Sequence, residues 1–373
     1  MKNSILFIVL IIGNISFANA QFKITGEIEG APEKSTILIQ VNNITIDSTL
    51  LVNKKFELKG NLENVPADVL LLVKNDSLFQ YASLFIGNEN VEMKAHLHDF
   101  PFDIKLKGSA YDNERYMYAQ LDKPLQIERK VLLNKMWALQ NKNQWNDSLQ
   151  AAYWSRKVPL GLITKIDEQS DLQRLEFIKK NINSYYGLSL LESFKTQIDE
   201  KIIKELLNQL NPKFENTVYF KSIQSHLYNP DLKIGDSYYN FTAYDQNQKP
   251  VKFSQYFNGK YVLLDFSTMY CGFCIAAIPA LEKMKKEYGD RLEIITFYVD
   301  QNIKGFDGLA KKHSPNWDIL WDKEGRFSET YAKYKIYGTP TFYLFDPNGK
   351  LVKMIDGYSS ELIQKVAESI KLK

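Results

Sequence analysis

From Gln21 to about Gly108 the apolar residues fall on alternate positions: Phe22, Ile24 and Ile28, then Ile37, Ile39 and Val41, then Phe56, Leu58 and Leu62. The alternation resumes at Val91, Met93, Ala95 and Leu97 and again at Phe102, Ile104 and Leu106, with Asn, Asp and Gly between the runs. Period two is the mark of strands buried on one face, and the intervening residues favour turns, so residues 21–108 are expected to form a small antiparallel β domain. Between about Ala110 and Tyr228 the spacing changes to three and four, clearest in Ile202, Ile203, Leu206, Leu207 and Leu210 ahead of Asn211-Pro212. That rhythm predicts amphipathic helices over a region bounded at 109–230, and Pro124, Pro159 and Gly187 are expected to break it into several short pieces. From 231 to 373 strand and helix alternate: YVLLDF at 261–266, a helix from about Gly272, EIITFYV at 293–299, and TFYLFD at 341–346. Pro347-Asn348-Gly349 then turns the chain into LVKMID at 351–356, and a last helix is expected at about 359–371. This order describes an α/β domain.

Residues 1–20 fit neither pattern. Lys2, an apolar run from Ile5 to Ile12, and Ala18 and Ala20 before Gln21 make a secretory signal peptide the expectation. An uncleaved membrane anchor is the alternative, although the run is shorter than the roughly 20 residues a spanning helix needs. Export, to the periplasm in particular, would place the chain where a disulfide can persist. The mature chain is then expected to be soluble, or membrane-anchored if the leader stays.

Composition narrows the function. With 47 Lys and Arg against 44 Asp and Glu the net charge is only +3, and no basic run offers the footprint that nucleic acid requires. Two cysteines in 373 residues exclude a disulfide-rich scaffold and a zinc site made of cysteine alone. They are Cys271 and Cys274, separated by Gly272 and Phe273, at the point where a buried strand ends and a helix begins. Free N–H groups at a helix N-terminus favour negative charge, so Cys271 is expected to be the attacking thiolate. Cys274, one turn further on, is placed to attack the mixed disulfide that Cys271 forms and to release the reduced partner. A purely structural disulfide is less apt, because so short a loop removes little unfolded-state entropy. A metal site would have to recruit His96, His98, His226 or His313. Of these, His96 and His98 flank Leu97 on an expected strand and read as its solvated face, so no metal is expected.

Residues from about 233 to 373 resemble the thioredoxin fold, in particular the TlpA/ResA-like branch of exported thiol:disulfide oxidoreductases. The likeness rests on the entry segment IGDSYYNFTAYDQNQKPVKFSQYFNGKYVLLDF, the CGFC motif, Pro279 eight residues after Cys271, and Gly338-Thr339-Pro340-Thr341. It implies a C-terminal α/β thioredoxin fold preceded by a small antiparallel β domain and a helical segment. It further implies that Pro340 is cis and packs beside the cysteines, and that the backbone of Thr339 is offered to an extended substrate segment. Cys271 and Pro340 stand further apart than in plain thioredoxins, and residues 300–325 are expected to hold the strand-helix insertion of this branch. The whole arrangement resembles multidomain exported oxidoreductases of some Gram-negative bacteria.

Departures from the family pattern are instructive. Tyr270 stands where Trp is usual, Phe273 where Pro is usual, and Ala277 where a glutamate is frequent. Tyr270 and Phe273 are expected to form an apolar collar for a partner's unfolded segment. Asp265, six residues before Cys271, occupies the place of the buried acid of thioredoxins. A carboxyl group in an apolar strand end has a raised pKa and suits proton transfer with Cys274; a merely structural acid is the alternative.

The expected function is exchange of a Cys271–Cys274 disulfide with the cysteines of other exported proteins, as reductant or isomerase. No cofactor beyond that disulfide is needed, and an upstream membrane or periplasmic electron donor is implied. A thiol peroxidase is a second possibility, since Thr268 stands three residues before Cys271, but Leu264 replaces the proline such a site carries. A third is a binding module with a non-catalytic thioredoxin-like domain. Electron direction, substrate identity, the duty of residues 21–230 and the oligomeric state are not encoded in any spacing.

Overall fold

In the computed structural model residues 21–313 and 315–370 are described; the expected leader at 1–20 lies outside them. The chain opens with eight strands, β1 (Phe22–Glu29), β2 (Thr36–Val41), β3 (Ile44–Leu50), β4 (Lys55–Gly60), β5 (Ala67–Lys74), β6 (Phe79–Ile86), β7 (Asn90–His96) and β8 (Leu106–Lys107). They form two four-stranded sheets, ordered β4-β1-β7-β8 and β3-β2-β5-β6. Inward residues of both sheets, among them Ile24, Leu58, Met93, Ile37, Leu71 and Leu84, make one buried core. The domain is not wholly antiparallel, because β1 and β7 run parallel from Lys23↔Asn90 to Glu29↔His96. Residues expected to extend a strand from Phe102 contribute only Leu106–Lys107, and Leu97–Asp99 is a 3-10 turn that brings the His98 ring, tilted, to 4.1 Å from that of His96.

Six helices follow: α1 (Asp112–Asn141), α2 (Asp147–Trp154), α3 (Leu162–Asn181), α4 (Tyr185–Phe194), α5 (Glu200–Leu207) and α6 (Val218–Tyr228). Pro124 does not break the first of these, which runs unbroken for 30 residues. A proline in a helix interior costs about 3 kcal/mol, and here the length of helix packed on α3 and β6 offsets it. Gly187 likewise lies inside the first turn of α4, where Ser184 Oγ caps its N–H, whereas Pro159 does fall in a loop, between α2 and α3. The helices cover the outer face of the second sheet through Phe85, whose ring meets Tyr186 edge-on at 5.2 Å.

Residues after Pro230 build a short hairpin, β9 (Thr242–Tyr244) and β10 (Pro250–Lys252), and then a five-stranded sheet. Its strands are β11 (Tyr261–Ser267), β12 (Leu292–Tyr298), β13 (Asp318–Leu320), β14 (Thr341–Phe345) and β15 (Leu351–Asp356), in the order β13-β12-β11-β14-β15. The first three are mutually parallel, and β14 runs antiparallel to β11, as β15 does to β14. Helices α7 (Gly272–Tyr288) and α10 (Leu362–Ala367) join the core on one face through Leu281, Met284, Leu362 and Val366. Two short helices, α8 (Ile303–Asp307) and α9 (Glu329–Lys333), lie between β12 and β14. The opposite face of the sheet is an aromatic layer including Phe253, Phe266, Phe297, Tyr334 and Phe345. Both faces of β11 are therefore covered, which explains its uninterrupted apolar run. Among the described residues no helix is long and apolar enough to cross a membrane.

One buried ion pair ties α1 to the β domain. Arg115 donates to both oxygens of Asp112 at 2.8 and 2.5 Å and to the Ile104 carbonyl at 2.7 Å. Asp112 also accepts the N–H of Phe85 at 2.9 Å. Asp112→Ala would leave a guanidinium buried without its counter-charge, so it is expected to destabilise the protein by about 3–5 kcal/mol. Urea denaturation followed by far-UV circular dichroism measures this, and a loss below about 1 kcal/mol would show that the pair is not holding the junction.

Candidate redox site

The two cysteines lie at the carboxyl end of the central strand, where open α/β sheets place their ligands. Cys271 is the N-cap of α7 and Cys274 occupies its first turn. Their surroundings differ sharply: Cys271 is partly exposed, while Cys274 is 3% exposed, and both are free thiols. The Cys271 thiol donates to the carbonyl of Thr339 at 3.3 Å. The Thr339–Pro340 peptide is cis, with Thr339 half-buried and Pro340 buried, so the segment expected beside the cysteines does reach them. The Pro340 carbonyl is already engaged by Gly357 N–H, at 2.8 Å.

Burial pushes the Cys271 thiol up, but hydrogen bonds to the backbone of Cys274, to the Cys274 side chain, to the Thr339 side chain and to the backbone of Phe273 outweigh it. The net result is a pKa below the ordinary thiol value. For Cys274 burial prevails: its pKa is pushed up to about 12, helped by the charge of Asp265 and the hydrogen bond with Cys271. One sulfur is thus poised to ionise and its neighbour to keep its proton.

Asp265 points inward from β11 and is 3% exposed. Its Oδ1 accepts from Ser267 Oγ at 2.5 Å and its Oδ2 from Thr296 Oγ1 at 3.0 Å, the latter hydroxyl in turn accepting from Trp317 Nε1 at 3.0 Å. Burial raises its pKa to about 6 in spite of these two donors. Asp265 acts on Cys274 through its charge rather than through a direct hydrogen bond, because its hydrogen bonds go to the two hydroxyls.

Tyr270 and Phe273 flank the thiols and are 50% and 67% exposed. They are not equivalent: the Tyr270 hydroxyl accepts from Asn302 Nδ2 at 2.6 Å, whereas the Phe273 ring stands out toward solvent. No local pattern singles out Asn302, or Asp300, whose carboxylate accepts the Thr268 hydroxyl. Both belong to the loop after β12 and meet the cysteine loop only through folding. Of the histidines considered as metal ligands, His96 and His98 are in the β domain, His226 is buried in α6 and His313 ends a π-helical turn beyond α8.

Fold and site together define a thioredoxin-type redox domain, and comparison with known proteins agrees. Residues 234–354 match the AhpC/TSA family and residues 22–115 match a domain of unknown function, DUF4369. The thioredoxin of Bacillus subtilis is 34% identical over 74 residues, which are 20% of this chain and 69% of that protein. The thioredoxin-like protein YneN of the same organism is 33% identical over 94 residues, 24% of this chain and 53% of YneN. Thiol-disulfide oxidoreductase ResA of Oceanobacillus iheyensis is 26% identical over 134 residues, 35% of this chain and 68% of ResA. Among solved structures, the thioredoxin domain of a thiol-disulfide oxidoreductase from Bacteroides vulgatus aligns with 24% identity and a TM-score of 0.35, over 38% of this chain and all of that one. The chain belongs to the thioredoxin family, and ResA thiol-disulfide oxidoreductases are among its homologues. The match to YneN spans only about half of that relative's length.

Three measurements follow from the electrostatics. Iodoacetamide at pH 7 is expected to alkylate Cys271 on the order of 100-fold faster than Cys274, since only the thiolate reacts; comparable rates in peptide mass spectrometry would contradict the asymmetry. Asp265 holds its proton more tightly in the folded than in the unfolded chain, so wild-type stability falls as pH rises from about 4 through about 6 and is level above. Asp265→Asn should remove that slope and be more stable at pH 7 by on the order of 1–3 kcal/mol, with no advantage at pH 4. The same variant is expected to exchange disulfides at least about tenfold more slowly at pH 7. An unaltered pH dependence of stability and of exchange rate would exclude Asp265 from both roles.

Proposed function

We propose that the chain is an exported thiol:disulfide oxidoreductase, acting as reductant or isomerase on cysteine-containing exported proteins. The observation that carries this is the opposite tendency of two sulfurs one helical turn apart: a partly exposed Cys271 with lowered pKa and a buried Cys274 raised to about 12. In the first step the Cys271 thiolate attacks one sulfur of a target disulfide. A Cys271–target S–S bond forms, the target's own S–S bond breaks, and its second sulfur leaves as thiolate and takes up a proton. In the second step Cys274 gives up its proton, with Asp265 as the carboxylate whose charge reaches it, and attacks Cys271. The Cys271–Cys274 disulfide forms as the Cys271–target S–S bond breaks, the released target sulfur takes up a proton so that the target leaves as a dithiol, and two electrons have passed from the chain to the target. An upstream donor must then return the chain to its dithiol form, and no cofactor beyond the cysteine pair takes part.

Tyr270, Phe273 and the Thr339–Pro340 edge surround the accessible sulfur and supply the docking surface, the exposed aromatics for side chains and the Thr339 backbone for an extended segment. Export to the periplasm rests on the leader-like composition of residues 1–20. A thiol peroxidase is the second reading, favoured by the AhpC/TSA match. Against it stands the hydroxyl of Thr268, which is occupied by Asp300 and by the N–H of Tyr270 at 3.2 Å rather than directed at a peroxide beside Cys271.

Cys274→Ser is expected to accumulate mixed disulfides with target proteins, because the second step is lost, whereas Cys271→Ser should form none. Equal trapping by both variants, or by neither, would sink the exchange mechanism; consumption of hydrogen peroxide by the reduced chain would support the peroxidase, and target capture that survives loss of both cysteines a binding module. Titration of the pair against dithiothreitol then fixes direction: a potential near about −270 mV marks a reductant and one near about −120 mV an oxidant.

A further inference from the structure

The N-terminal β domain reaches the redox site through the tip of the β2–β3 hairpin. Asn42 and Asn43, between β2 and β3, both have positive φ, 48° and 64°. Two successive left-handed residues are the backbone of a type I′ turn, which suits asparagine. The Asn42 side-chain amide donates to Gln301 Oε1, and the Asn43 carbonyl accepts from Asn302 Nδ2 at 2.9 Å. That same Nδ2 donates to the Tyr270 hydroxyl at 2.6 Å, while Asn302 Oδ1 accepts from Lys304 N–H at 2.9 Å and caps α8. Asn302 is 4% exposed, so its polar atoms are bonded to protein on both sides of the domain boundary. The Tyr270 ring is seated as well as tethered. A Cβ at position 305 would come within 2.9 Å of Tyr270 Cε2 and 2.0 Å of Tyr298 Oη, and glycine alone leaves that space.

We propose that this hairpin tip is a working part of the redox site: through Asn302, a positioning residue, it fixes Tyr270 as one rigid wall of the surface that docks a polypeptide disulfide onto Cys271. The inference rests on the exchange activity proposed above and assigns a duty to residues 21–108. A half-exposed ring next to the attacking sulfur would otherwise lose rotamer freedom each time a substrate binds, and a tether removes that cost beforehand. An extended polypeptide touches the wall; a small disulfide needs only the sulfur. The tether should therefore govern the preference between these two substrate classes.

The test compares kcat/KM of the reduced full-length chain for insulin, whose disulfides lie in polypeptide, with that for 5,5′-dithiobis(2-nitrobenzoate). Asn302→Ser keeps an N-cap for α8 but is too short to reach either Asn43 or Tyr270. Asn42→Gly keeps the left-handed backbone and drops the bond to Gln301. The ratio of insulin to small-disulfide kcat/KM is expected to fall about fivefold in Asn302→Ser, the change residing in KM, and about twofold in Asn42→Gly, the size of one lost hydrogen bond or part of one. Tyr270→Phe should lower the ratio alike, and adding Asn302→Ser to it should change little more, as residues acting through one bond do. An unchanged ratio in both asparagine variants, or equal loss on both substrates, would overturn the proposal. A wild-type chain that reduces neither substrate would instead overturn the exchange activity itself.

Discussion

Everything in the C-terminal domain turns on giving two sulfurs of the same element, three residues apart, opposite preferences for a proton. The difference comes from where the chain crosses from strand to helix. Cys271 is the last residue outside α7 and receives N–H groups that have no helical acceptor. Cys274 has already turned inward with the helix, into a setting where burial dominates and the charge of Asp265 opposes a second anion. No additional cation is required, because helix geometry supplies the donors and the sheet supplies the low-polarity wall.

That wall is why the central strand is sandwiched. The aromatic layer behind β11 stacks Phe241 on Phe253 at 4.8 Å and sets Phe266 against Tyr334 at 5.1 Å. On the other face α7 covers Leu263 and its neighbours. A carboxyl group placed in this strand has only hydroxyls to meet it, so its pKa moves to about 6. Asp265 is then ionised at neutral pH yet close enough to its midpoint to take and return a proton, which an exposed aspartate is not. The same burial that costs stability is what would make the acid useful in the proposed exchange, a trade expected at a working site.

How far the sequence alone reveals this depends on whether a signal is local. The cysteine pair and the strand–helix order were legible from local pattern, and the places of Asp265 and the Thr339–Pro340 edge from the family resemblance, which is carried by residue types at fixed offsets. Strands with one buried face, such as β1, β4 and β7, announced themselves by alternation. The ADVLLLVK stretch of β5 did not, because Val69, Leu71 and Val73 enter the sandwich core while the opposite face of that sheet is covered by helices. Pro124 misled for the opposite reason: a local rule predicts a break, and packing over 30 residues overrides it. The parallel pairing of β1 with β7 and the contact of Asn43 with Asn302, 259 positions apart, have no local signature at all.

Long-range contacts also explain why the redox surface stays open while the domain is held. The N-terminal regions grip the segment between β12 and β14: Arg326 lies 3.7 Å from both Asp68 and Glu192, and Lys335 pairs with Glu200 at 2.6 Å. Tyr219 donates to the Pro66 carbonyl at 2.8 Å and meets the Phe327 ring at 5.7 Å, so the helical region bridges β domain and redox domain at one place. The contacts made by Arg326, Phe327 and Lys335 all fall on the inserted segment and its flank. None falls on Phe273 or on the cis peptide, so the face that the proposed exchange would offer to another protein is left clear while its tyrosine edge is fixed from behind. A fold that adds two domains to a thioredoxin unit without covering its sulfur has to attach them through such an insertion, and residues 300–336 are that attachment.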